Sequence, residues 1–156
     1  MSSPHHDGKR PVPPPTIGGL LRLAWQAHRE RMYEGVTAAG FADLTRAQYE
    51  LFRWPGMDGL RPGELAQVSG LSKQAVNDLL GELERSGYVE RHPDPDDRRA
   101  RLVRLTARGE QLQRTVEETS LALEAGWVAA VGGKRFAALR STLRDMVERG
   151  LPEEPK

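Results

Sequence analysis

A chain of 156 residues and 17.4 kDa has the size of one ordinary domain with short tails. Zero cysteines exclude disulfide scaffolds, thiolate metal centres, cysteine nucleophiles and thiol redox sensing, and 38% hydrophobic against 29% charged residues leaves only a modest core for a lone monomer. A net charge of +1 and a pI near 8.1 leave the choice of partner to where Lys and Arg cluster, while the lack of any apolar run suited to a bilayer or a secretory signal predicts a cytoplasmic chain with no membrane partner.

Residues 1–16 hold five of the eleven prolines and almost nothing apolar, so a disordered tail is predicted there. His5 and His6 lie in it without a partner cluster; no metal is assigned, and no cofactor is expected. From Ile17 to Val36 apolar residues recur at helical spacing, and Gly40 closes that helix. Thr45 with Gln48 three residues on has the form of a capping box for a second helix through Tyr49, Leu51 and Phe52, stopping near Pro55-Gly56. Pro62 at a first helical position and Glu64 in the first turn start a third helix, which Ser69-Gly70-Leu71 breaks.

Ser72 then caps a helix from Lys73 to Glu84. Its Val76, Leu79, Leu80 and Leu83 make one apolar face, and Gly87 follows as the residue past its end. Two short helices joined by a tight turn are a helix-turn-helix. Tyr88–Arg91 and Ala100–Leu105 have strand character around a polar tip at residues 92–99, which predicts a β-hairpin. Thr106 caps a long helix to Val131, Gly132-Gly133 ends it, and Phe136 to Val147 mark a last helix up to Gly150. Residues 151–156 form a short tail.

The predicted fold is therefore mainly α, a winged helix-turn-helix with a small β-hairpin wing. Residues 44–105 form the winged unit within a single domain at 17–150. Residues 17–43 and 106–150 supply the N- and C-terminal helices of a dimerisation unit, because their apolar stripes exceed what so small a domain covers.

With the apolar face turned inward, the N-terminal end of the helix after Ser72 presents Ser72, Lys73, Gln74 and Asn77. Gln and Asn pair with adenine edges in a major groove, and Lys reaches guanine or a phosphate. A polar solvated helix face has the same composition. The hairpin tips the balance, since Arg98, Arg99, Arg101 and Arg104 crowd a protruding ribbon with Arg91 on its other strand. Such a ribbon straddles phosphates, and guanidinium is favoured in a narrow minor groove. Asp94, Asp96 and Asp97 oppose this unless they fold back, so Asp97 is expected to brace the tip against an Arg.

The run from Leu71-Ser72-Lys73-Gln74-Ala75-Val76 through Ser86-Gly87-Tyr88-Val89-Glu90-Arg91, then Pro93 to Ala100 and Leu105-Thr106, resembles the MarR family of bacterial transcriptional regulators. The likeness spans roughly Ile17 to Met146. It implies an interlocked homodimer that binds a pseudo-palindromic double-stranded DNA operator, with Asp97 and Arg99 holding the wing tip and inserting it into the minor groove. It implies a repressor responsive to a small aromatic or anionic effector. Where many members carry a basic residue this chain has Asp78, which removes one phosphate or base contact. Trp25, His28, Met32, Tyr49, Phe52 and Trp54 are candidates to line an effector cavity, and serve equally as ordinary core.

A winged-helix adaptor that binds protein without sequence-specific DNA binding is the alternative; the cation density of the wing argues against it. An enzyme is not expected, because the sequence has no Gly-rich phosphate loop, thiol, metal-spaced His and carboxylate cluster, or serine elbow.

Overall fold

In a computed structural model describing residues 15–52, 57–97 and 99–150, the chain runs through six helices and one hairpin. The predicted tail up to residue 14, Trp54, Arg98 and residues 151–156 lie outside the described residues. Helix α1 (Ile17–Ala38) begins on Thr16, assigned to the tail from sequence but here the N-cap, its Oγ1 accepting the Gly19 amide at 3.2 Å. The predicted capping box starts α2 (Arg46–Phe52): the Thr45 amide donates to Gln48 Oε1 at 2.8 Å and the Gln48 amide to Thr45 Oγ1 at 3.3 Å. Helix α3 (Pro62–Ser69) ends at Gly70 in the left-handed region (φ 71°), and α4 (Lys73–Arg85) starts on Ser72, whose Oγ accepts the Ala75 amide at 3.1 Å.

The end of α4 shows why Gly87 stands where it does. The Tyr88 amide donates to Leu83 O at 2.9 Å and the Gly87 amide to Glu84 O at 3.0 Å, the paired bonds of a Schellman turn, with Gly87 at φ 74°. Tyr88 and Leu83 are both fully buried, which supplies the apolar contact that accompanies such a turn.

Strands β1 (Val89–Pro93) and β2 (Arg101–Leu105) pair antiparallel from Val89 with Leu105 to Pro93 with Arg101. The ladder thus extends two residues past Arg91, into a stretch expected to be tip. Pro93 is compatible because it ends the strand, where a missing N–H breaks no ladder bond. On its far edge β2 is also bonded: Gly59 N donates to Val103 O at 2.7 Å and Val103 N to Leu60 O at 2.9 Å. The segment before α3 therefore ties the far edge of the two-stranded sheet through Gly59 and Leu60 without being a strand itself, a feature the sequence pattern did not announce. Helices α5 (Ala107–Val131) and α6 (Gly133–Arg149) complete the chain.

The core collects Val36 from α1, Tyr49 and Leu51 from α2, Leu65 from α3, Val76, Leu80 and Leu83 from α4, Val103 from β2 and Leu112 from α5. Each such side chain contributes about 1.5–3 kcal/mol of transfer free energy. Burial stops there. Of α1 only Met32 and Val36 are buried, α5 buries only Gly109 and Leu112, and α6 buries nothing. Leu20, Leu21, Trp25, Trp127, Leu139 and Met146 remain exposed, and an apolar groove of about 380 Å³ runs between α1, α5 and α6. No helix among the described residues is long and apolar enough to cross a membrane.

Candidate nucleic-acid interface

The first turn and a half of α4 carries Ser72, Lys73, Gln74 and Asn77, all exposed, while Val76, Leu80 and Leu83 anchor the opposite face. The 3.6-residue period turns 74 away from the buried 76, 80 and 83 and sets 77 at their border, while 73 is exposed because it stands in the first turn of the helix. Asn77 Nδ2 donates to Lys73 O at 2.9 Å, which ties its amide to the helix. Asp78 lies exposed beside it. A second tether fixes the helix from behind. Gln48, buried in α2, donates from Nε2 to Glu82 Oε2 at 2.9 Å while its Oε1 completes the capping box. One side chain thereby closes the start of α2 and holds the C-terminal part of α4.

The wing separates its arginines into two groups. Arg91 turns back onto α4, donating to Asn77 O at 3.3 Å and lying 3.5 Å from Glu84, and Arg104 pairs with Asp58 at 3.3 Å. Those two are engaged on the body of the protein, which corrects their place in the sequence-predicted cation cluster. Gly59 makes room for the second: at φ 84°, a Cβ there would stand 3.2 Å from Arg104 Nη1. Arg99 and Arg101 are exposed and make no ion pair with another described residue. Ser72, Lys73, Gln74 and Asn77 thus share one exposed helix end, with Arg99 and Arg101 on the adjoining hairpin.

The bracing expected of Asp97 against an arginine is found at Asp94 instead. Asp94 is 4% exposed, and its Oδ2 accepts from Arg61 Nε at 2.7 Å and Nη2 at 2.5 Å. The Asp96 amide, donating to Oδ1 at 2.8 Å, does most to hold the Asp94 carboxyl below the usual carboxylate range; partial burial opposes it and the Arg61 guanidinium assists. Asp97 has a backbone role, its Oδ1 accepting the Arg99 amide at 3.0 Å and its carbonyl the Ala100 amide at 2.8 Å. It shapes the turn, whereas Asp94 fastens the turn to Arg61 at the start of α3. Arg61 had no signal in the sequence beyond being a cation next to Pro62.

Four of the six candidate pocket residues meet. Trp25, His28, Met32 and Tyr49 line a cavity of about 240 Å³ with Arg29, Val116, Glu117 and Ser120, the last three contributed by α5. The α5 residues escaped the sequence reading because nothing in the periodicity says which turn of α5 crosses α1. His28 stacks on Trp25 with ring centroids 5.9 Å apart. Arg29 pairs with Glu50 at 2.6 Å, so its charge is balanced at the cavity wall. Phe52 belongs to the core instead, 6.3 Å edge-on from Tyr88, and Trp54 lies outside the described residues. Among the described residues no group of three or more His, Asp and Glu is placed to hold a metal ion.

The MarR family model matches residues 42–100, from the loop before α2 to the far side of the wing. The transcriptional regulator HosA of Escherichia coli O111:H- is 32% identical over 93 residues, 59% of this chain and 65% of HosA. The transcriptional activatory protein BadR of Rhodopseudomonas palustris is 38% identical over 76 residues, 49% of this chain and 41% of BadR. Each match spans less than two thirds of the relative's own length. The apo crystal structure of wild-type MarR from E. coli superposes with a TM-score of 0.70 at 24% identity, over 84% of this chain and 96% of that one. That likeness is one of fold.

Proposed function

We propose that the chain is a DNA-binding transcriptional regulator of the MarR family, a ligand-responsive repressor that binds a pseudo-palindromic operator as a homodimer. The observation that carries this reading is the juxtaposition of an exposed Lys73–Gln74–Asn77 helix end with Arg99 and Arg101 on the wing. The helix end suits base edges in the major groove, and the wing suits the flanking backbone and minor groove. Asp97 shapes the tip and so aims Arg99.

The exposed apolar face of α1, α5 and α6 supports the homodimer. A second copy interlocking there covers Trp127, Phe136 and Leu143 and places two α4 helices on one face of a duplex, about 34–36 Å apart. Repression follows from occupancy, since a dimer lying along a promoter excludes other proteins from it. The cavity between α1, α2 and α5 suits a small aromatic effector, because Trp25, Met32 and Tyr49 supply apolar walls. His28 is its candidate contact for a carboxylate.

Selection of bound duplexes from random DNA tests the reading, followed by titration of the selected operator against salt. A two-fold sequence and a steep loss of affinity are expected, with a slope of roughly −0.9 in log K against log salt for every phosphate neutralised. Recovery of no sequence preference together with a flat salt dependence would favour the protein-binding adaptor.

A further inference from the structure

The carbonyl end of α4 is fastened to the first turn of α5. Thr106 Oγ1 donates to Gly87 O at 2.5 Å, the Thr106 amide donates to Tyr88 O at 3.1 Å, and Arg108 Nη1 donates to Ser86 O at 2.8 Å. Three successive carbonyls just past α4, at its C-cap Ser86 and the two residues after it, are thus closed by the start of the next helix. Arg108 Nη2 also reaches both oxygens of Asp43 in the loop before α2, at 3.0 and 2.9 Å, and its guanidinium lies 4.3 Å over the Tyr88 ring. Tyr88 in turn donates its hydroxyl to Asp43 Oδ1 at 2.7 Å. Loop, recognition helix, wing base and α5 converge on these three side chains.

From this joint α5 runs 25 residues, about 37 Å at 1.5 Å per residue, to the apolar face where the second copy docks. A lever of that length magnifies small angles: about 5° at the joint moves the far end by roughly 3 Å, close to the ~3.4 Å rise of one base pair. A planar guanidinium that directs Nη1 to Ser86 O and Nη2 to the Asp43 carboxylate resists such rotation better than a point charge, because its rigid fork fixes two directions at once.

We propose that Arg108, Asp43 and Tyr88 are positioning residues that lock the angle between α4 and α5 and thereby set the half-site spacing the dimer accepts. The proposal rests on the reading that the chain binds an operator as a homodimer. The lock touches no base and no phosphate, so its loss leaves non-specific binding and dimerisation in place while the spacing requirement relaxes.

The test titrates wild type, Arg108→Gln, Arg108→Lys and Tyr88→Phe against a selected operator, against versions with one base pair inserted or removed between half-sites, and against random duplex. Mass and melting are measured alongside. For wild type a one-base-pair change is expected to cost roughly tenfold or more in affinity, the scale of a mismatched position. In Arg108→Gln the optimal operator weakens and the altered spacings come within a few fold of it, with random-duplex affinity and dimer mass unchanged. Arg108→Lys, which keeps the charge and loses the fork, and Tyr88→Phe, which keeps the core ring and loses the hydroxyl bond, fall between the two. A folded, dimeric Arg108→Gln with the wild-type spacing penalty overturns the lock and leaves the operator reading standing; should that variant fail to fold, the same result in Tyr88→Phe and Arg108→Lys overturns it. A wild-type chain that shows no operator or no spacing optimum overturns both.

Discussion

Arg61 and Asp94, 33 residues apart, meet across 2.7 Å and join the start of α3 to the turn of the wing. The wing is a two-stranded ribbon, marginal by itself, and this contact together with the Asp58–β2 bonds gives it a fixed direction. Asp94→Asn keeps the volume and removes the charge. It is expected to lower affinity for operator and random duplex alike and to speed amide exchange between Asp96 and Ala100, read by hydrogen exchange and binding titration. Unchanged exchange at the tip would show that the brace is idle.

Asp94 and Asp43 both titrate below the ordinary carboxylate value of 3.8. For Asp43, burial alone would raise the carboxyl, but the Tyr88 hydroxyl, its own amide and Arg108 outweigh that. A carboxyl depressed on folding contributes stability that is complete above its unfolded value and is lost as pH falls through its folded one. Melting curves should therefore show wild type losing stability below about pH 4. The double variant Asp43→Asn/Asp94→Asn should lose less over that window, and parallel curves for the two proteins would contradict the assignment.

Reading and holding separate by mutation. Gln74→Ala or Asn77→Ala is expected to cost about 1–3 kcal/mol on a selected operator and to blur symmetric positions in both half-sites, with random-duplex affinity nearly unchanged. Arg99→Ala should weaken every duplex and erase a preference for narrow A·T-rich flanks. Base preferences surviving both helix variants would place α4 outside the major groove.

The apolar face of α1, α5 and α6 predicts twice 17.4 kDa by light scattering at micromolar concentration. Phe136→Asp or Leu143→Asp puts a charge into that face and should yield monomer or aggregate. A clean wild-type monomer removes the basis for a palindromic operator.

Gly109→Ala tests the α4–α5 joint from the backbone side. In an open helix the change would stabilise by about 1 kcal/mol. Here the new Cβ would stand 2.1 Å from Tyr88 O, a backbone atom with no freedom to retreat, so the sign reverses and a loss of about 1–3 kcal/mol is expected by chemical denaturation.

What the sequence determined by itself was everything decided within one turn of chain. Thr45 with Gln48, Ser72 before α4 and Gly87 after it act through bonds spanning three to five residues, so composition and spacing suffice to place them. The inward face of α4 was legible for the same reason, since periodicity turns Val76, Leu80 and Leu83 together and leaves Gln74 and Asn77 off that face, with Lys73 exposed at the helix start. Tertiary structure decided which charges stay available. Arg91, Arg99, Arg101 and Arg104 are chemically alike in the sequence, yet Glu84 and Asn77 engage the first and Asp58, 46 residues from it, engages the last. Asp94 and Asp97 are likewise indistinguishable as carboxylates near a turn; only the approach of Arg61 makes one the brace and leaves the other to the backbone. A long-range ion pair depends on where two loops are brought by the burial of other residues, and no local pattern encodes that distance.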